Sequence, residues 1–156
     1  VKELDHEALL KRAIALSAQS RAQGSHPFAS LVADAEGEVI AEAINAHHID
    51  CTCHAEMNAV RLVAAKHPPT VLRSATLYTS AEPCAMCAGG IYWSGIGRVV
   101  YALSEARLLT LTGNHPENPT LSLPCREVLT RGQREIEVLG PMLEDEAAAV
   151  HRGFWT

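Results

Sequence analysis

No apolar run in this sequence is long enough to cross a bilayer, so a membrane span is not expected. The opening segment Val1-Lys2-Glu3-Leu4-Asp5-His6 carries two acids and lacks the apolar centre of a secretory signal. A valine where an initiator methionine would stand is expected of a trimmed chain. Basic residues are also in short supply. Thirteen lysines and arginines face eighteen acids, giving a net charge of −5, and the arginines are scattered. A dedicated phosphate-backbone binder shows the opposite sign, so a small-molecule partner is favoured over nucleic acid. An even cysteine set is missing too: there are five. With no export signal, an odd number points to a reducing compartment, the cytoplasm, where thiols serve metals or catalysis. Repeats, linkers and low-complexity tracts are absent, and 47 % of the 156 residues are hydrophobic. One domain spanning 1–156 with its own core is the expectation.

Helices and strands alternate in the pattern. After Asp5, an expected N-cap, Leu9, Leu10, Ala13, Ile14 and Leu16 recur at helical spacing as far as Gly24. Strands are expected at 28–33 and 38–44, joined as an antiparallel hairpin by Asp34-Ala-Glu-Gly37. A helix is expected over 54–66, with Thr52 as a possible cap and Pro68-Pro69 as its stop. A strand at 75–79 precedes a helix opened by Pro83 and closed by Gly95 and Gly97. Strand 98–103, short helices at 105–109 and 126–130 around an irregular loop at 113–119, strand 135–139 and helix 144–151 complete the chain. The long crossover lets strands 98–103 and 135–139 lie parallel, so a mixed sheet in an α/β layered domain is expected.

Two short patterns carry chemistry: His54-Ala55-Glu56 and Pro83-Cys84-Ala85-Met86-Cys87. A His-x-Glu triplet arises by chance about once in a chain of this composition, and His115-Pro116-Glu117 is a second example. Pro-Cys-x-x-Cys arises in only about one such chain in a hundred. Cysteines three apart in a first helical turn share a face and present two sulfurs to one ion, while the helix start favours thiolate over thiol. His54 at the start of the neighbouring helix is the best third ligand. Three protein ligands leave one tetrahedral position of zinc open to water, whose pKa then falls to about 7. Glu56, two residues after His54 and turned around the helix axis, can take that water's proton without ligating the metal. Hydrolytic deamination needs this set: attack at an amidine-like carbon, protonation of a ring nitrogen and release of ammonia. His115-Pro116-Glu117 lacks a helix to fix such geometry and is set aside as the zinc motif.

Blander readings remain open. Cys51 and Cys53 with Cys84 and Cys87 could close a structural Cys₄ site, although this leaves His54 and Glu56 without purpose, and Cys84-x-x-Cys87 could be a redox pair. Cys51, Cys53 and Cys125 read as packing residues, as does Met86. His6, His26, His47, His48, His67 and His151 read as solvated or capping residues.

These motifs resemble the cytidine deaminase-like superfamily. The likeness extends through Pro27-Phe28-Ala29, Asn45, Thr79-Ser80-Ala81-Glu82-Pro83-Cys84-Ala85-Met86-Cys87-Ala88-Gly89 and Val99-Val100-Tyr101, covering residues 6–103 and thinning beyond. Within it, the chain is similar to the branch of guanine deaminases, cytosine deaminases and tRNA adenosine deaminases. The resemblance implies a three-layer α/β/α domain with a five-stranded mixed sheet, assembled as a homodimer. It implies one zinc per chain on His54, Cys84 and Cys87, and proton shuttling by Glu56. It further implies base contacts from Asn45, the Ala55 backbone N–H and Phe28. Pro27-Phe28 and Ile91-Tyr92-Trp93 look closer to the guanine deaminases, which would put Trp93 near the base. Segment 104–112 lacks both the Gly-Phe-Asp type of stretch of that group and the basic stretch of the tRNA enzymes. The tail Arg152-Gly153-Phe154-Trp155 resembles the aromatic C-terminal lids of base deaminases; Phe154 and Trp155 could stack on a flat ring or form a dimer contact. His115 and Asn114 could face the mouth of the site or simply lie on a surface loop. The expectation is a zinc hydrolase acting on a small base, guanine ahead of cytosine. The alternatives are tRNA adenosine-to-inosine deamination and a zinc-stabilised binding module without turnover.

Overall fold

Five strands form one sheet in the order β2-β1-β3-β4-β5 in the computed structural model, which describes residues 2–156. The strands are β1 (Ala29–Ala33), β2 (Val39–Ile44), β3 (Thr76–Ala81), β4 (Arg98–Leu103) and β5 (Glu137–Leu139). β1 pairs antiparallel with both β2 and β3, whereas β3–β4 and β4–β5 are parallel. The sheet is therefore mixed, as the hairpin and long crossovers require. At the hairpin, the Asp34 carboxylate accepts from the Glu36 and Glu38 backbone N–H groups, and Gly37 supplies a φ of +86°.

Helices cover both faces. On one side lie α2 (Ala55–Ala64), α3 (Pro69–Leu72), α4 (Ala85–Ser94) and α6 (Cys125–Leu129). Their apolar residues close over Val32, Leu77 and Val99. On the other side α1 (His6–Ala22), α5 (Glu105–Thr112) and α7 (Glu144–His151) pack on Leu31, Tyr78 and Val100. Successive strand residues thus point to opposite cores, which is why the buried strands read as continuous apolar runs. Each such fully buried side chain contributes about 1.5–3 kcal/mol of transfer free energy. The three-layer α/β/α arrangement agrees with expectation.

Several element ends differ from the sequence reading. The N-cap of α2 is His54, not Thr52, because Thr52 is held in the preceding turn by Asp50, whose carboxylate accepts from its N–H and hydroxyl. Pro69 does not simply stop a helix; it occupies the first turn of α3, where its missing N–H costs nothing. α5 continues to Thr112, past the expected end at 109, before Gly113. Asp5 caps α1 as expected, accepting from the Ala8 N–H at 3.0 Å.

Topology gathers one end of the sheet. β3 and β4 both finish there, at Ala81 and Leu103, and the antiparallel β1 begins there at Ala29, bound through its N–H to the Ser80 hydroxyl at 3.1 Å. β2 ends beside it, Ile44 opposite Ala29. Phe28, Asn45, the 82–84 segment and Glu105 therefore meet at the carboxyl edge of the parallel strands, where open α/β sheets bind ligands.

Candidate metal centre and active site

His54 and Cys84 are the N-caps of α2 and α4, both with extended backbone and neither using its side chain to cap. Their side chains are consequently free for other work. The two helices approach closely because Gly90 of α4 has no side chain: a Cβ there would collide with the Met57 sulfur of α2. His54 Nδ1 lies 3.5 Å from Cys84 Sγ and 3.6 Å from Cys87 Sγ. In a tetrahedral zinc site with Zn–N near 2.0–2.1 Å and Zn–S near 2.3 Å, nitrogen and sulfur ligands stand about 3.6 Å apart. The three side chains fit zinc, and they form one of the clusters capable of holding a metal among the described residues.

Electrostatics around this set are strongly coupled. A hydrogen bond from Cys87, with help from His54, holds the Cys84 thiol down to about 4, and Cys87 is correspondingly raised. The Cys84 contact raises His54. Burial first, and then the Cys84 charge, pushes the Glu56 carboxyl up to about 7. Glu56 is 6 % exposed and lines the same cavity as His54 and Cys84. Glu105, at the first position of α5, faces that cavity as well, and burial followed by the neighbouring Cys84 and glutamates raises it to about 8.

The cavity measures about 330 Å³. Phe28 and Asn45 line it. Asn45 Oδ1 accepts from the His47 N–H at 2.8 Å, which leaves its amide N–H groups for a ligand. Cys87 is fully buried beneath. Ala55 is fully buried at the first position of α2, with only its backbone relevant to a ligand.

Other expected contacts are not brought here. Trp93 is 81 % exposed and absent from the cavity wall. It follows Cys84 by nine residues, and at 100° per residue this turns it to the opposite face of α4. His115, Phe154 and Trp155 also stand outside the lining, in a layer behind it. Trp155 packs on His26, Phe28 and His115, and Phe154 on His26 and under the Arg21 guanidinium. The tail therefore buttresses the wall of its own chain. On the 113–124 loop it is residues 117–121, not Asn114 or His115, that reach the cavity.

The histidine and cysteine readings need correction as well. His26 and His151 are buried, neither solvated nor capping: His26 bonds Glu117 at 2.7 Å, and His151 accepts from Trp155 at 3.0 Å. His47 stacks on His26, and His6 Nδ1 bonds the Tyr78 hydroxyl at 2.7 Å. Cys125 is a buried core residue, whose thiol burial pushes up to about 12, as a packing role predicts. Cys51 and Met86 are instead exposed and line the cavity. No local pattern pointed to a cavity role for Glu105, His26 or Glu117; only Glu105, just after a strand end, was open to inference from topology.

A model of the cytidine and deoxycytidylate deaminase zinc-binding region matches residues 3–103. A probable cytosine deaminase of Schizosaccharomyces pombe is 44 % identical over 149 residues, covering 95 % of this chain and 91 % of its own. Guanine deaminase of Bacillus subtilis is 38 % identical over 102 residues, covering 64 % of this chain and 65 % of its own. A solved variant of NE0047 in complex with 8-azaguanine superposes with a TM-score of 0.79 at 28 % identity, covering 96 % of this chain and 84 % of that one. The chain belongs to the zinc-binding cytidine and deoxycytidylate deaminase family, whose members act as hydrolases on C–N bonds.

Proposed function

We propose that this chain hydrolyses the exocyclic amine of a free nucleobase, with cytosine and guanine the first two candidates. The observation that carries the substrate class is the make-up of the cavity wall, which offers no basic side chain among the described residues. Among the described residues lining it are four glutamates, Glu56, Glu82, Glu105 and Glu117, and no lysine or arginine. A phosphate group or an anticodon loop would find no counter-charge in it. A neutral, flat, amino-bearing ring needs none.

Zinc held by His54, Cys84 and Cys87 supplies Lewis-acid activation of the attacking water. The Phe28 ring offers a flat apolar face to the base. The Asn45 amide N–H groups donate to a ring acceptor or carbonyl oxygen. Glu56 takes a proton from the attacking water and gives it to the ring nitrogen, and then carries the second to the departing amine. One C–O bond forms, one C–N bond breaks, and ammonia leaves. Burial of Glu56 in the cavity floor keeps bulk water from competing for the proton.

The exposure of Trp93, 81 % open on the face of α4 turned away from the cavity, supports a homodimer. Sedimentation of Trp93→Ser as a smaller species than the parent chain is the expected result. No helix among the described residues is long and apolar enough to cross a membrane; a cytoplasmic location is proposed on the free thiols.

The test is ammonia release from zinc-loaded protein over cytosine, guanine, adenine, their nucleosides and nucleotides, and an anticodon stem-loop. Release from a free base and none from nucleotides is expected. Release from the stem-loop alone would replace this reading by tRNA deamination, and silence throughout would replace it by a binding module.

A further inference from the structure

The wall of the cavity carries a second cluster of metal-competent side chains, separate from the His54 set. His26 from the turn after α1, His47 from the loop after β2 and Glu117 from the loop after α5 each offer a ligand atom, all within 4.8 Å of one another. His26 Nε2 lies 2.7 Å from Glu117 Oε1, and the His26 and His47 rings stack with centroids 4.5 Å apart and planes at 29°.

The His26–Glu117 separation is shorter than the donor spacing of the first site. Donors at right angles on an ion with bonds of about 2.1 Å lie about 3.0 Å apart, close to this separation. Nitrogen and oxygen donors with bonds of that length on a tetrahedral ion stand wider, about 3.4 Å apart. Two histidines and a carboxylate on one face of a six-coordinate ion are a recurrent first-row metal site with the remaining positions open.

The three groups are also held in place. The His26 carbonyl accepts from the Ser20 hydroxyl at 2.6 Å, and its ring is wedged by Phe28, Phe154 and Trp155. The His47 N–H donates to Asn45, and the Glu117 N–H donates to His115 Nδ1 at 3.2 Å.

We propose that His26, His47 and Glu117 form a second divalent-metal site in the cavity wall, of two-histidine, one-carboxylate type, which takes a six-coordinate ion such as Ni²⁺. The ion displaces the proton shared by His26 and Glu117. All three ligands line the cavity that the base would enter, so occupancy closes it; this consequence, unlike the binding, rests on the function proposed above.

The test is equilibrium dialysis of zinc-loaded protein against Ni²⁺ with elemental analysis. About one nickel per chain beyond the retained zinc is expected, and His47→Ala and Glu117→Gln should each keep the zinc while weakening nickel binding at least about tenfold. No nickel beyond the zinc, or binding unchanged in both variants, overturns the site. With an active base in hand, nickel should raise KM in the parent chain and leave it unmoved in His47→Ala. An unmoved KM in the parent at full nickel occupancy overturns the closure while leaving the site standing.

Discussion

Trp155 donates its indole N–H to Nδ1 of His151, four residues back on α7, at 3.0 Å. Indole nitrogen is a donor only, so His151 must accept, which fixes a neutral ring with its proton on Nε2. Burial, with Arg21 nearby, agrees and lowers His151 to about 4.

The sign of the resulting pH dependence follows. Between pH 6.5 and 4 the unfolded chain binds a proton at this position and the folded chain does not, so stability falls as pH drops through that window and is flat in this group above it. The full effect is about 3 kcal/mol. Thermal melts should show His151→Gln losing less stability than the parent chain between pH 7 and pH 4.5; equal losses would contradict the buried neutral ring.

Trp155 stands behind Phe28 and His26 without reaching the cavity. Trp155→Ala should therefore cost about 2 kcal/mol of stability and raise KM several-fold while zinc content holds. Truncation before Phe154 should act in the same direction. Unchanged stability with altered kinetics alone would favour a lid across the mouth.

The Glu82 carboxylate accepts from the Glu105 N–H at 2.9 Å and the Cys125 N–H at 2.8 Å, tying the starts of α5 and α6 to the end of β3. Glu82→Ala leaves two buried donors without partners, a loss of about 3 kcal/mol that a urea titration would read as a lowered midpoint. A midpoint within error of the parent would show that water replaces the carboxylate.

Cys87 is buried and cannot be replaced by solvent as a ligand. Metal analysis should find about one zinc per parent chain and close to none in Cys87→Ala, with ammonia release gone. Full zinc occupancy in that variant would move the metal elsewhere.

The sheet, the helices and the His54, Cys84 and Cys87 set were legible because each signal is local: alternating apolar runs, a cap, and two cysteines one helical turn apart. The wall of the cavity was not. His26 and Glu117 meet across 91 residues of sequence, and only the folded chain brings them together. Trp93 illustrates another limit: likeness to relatives named the residue, but helix phase, which Cys84 and the 100° step already fixed, turned it away. Buried histidines were misread because burial is decided by what packs on a residue, here Trp155 and Phe154, and no pattern around His26 or His151 announces that.

Replacing Glu56 by glutamine tests the account most directly, since amide and carboxylate share shape but only the latter carries protons. The variant should keep about one zinc per chain and its melting temperature within a few degrees, and lose at least about 10²-fold in ammonia release from the preferred base. Parent-like turnover at full zinc occupancy would contradict the role given to Glu56.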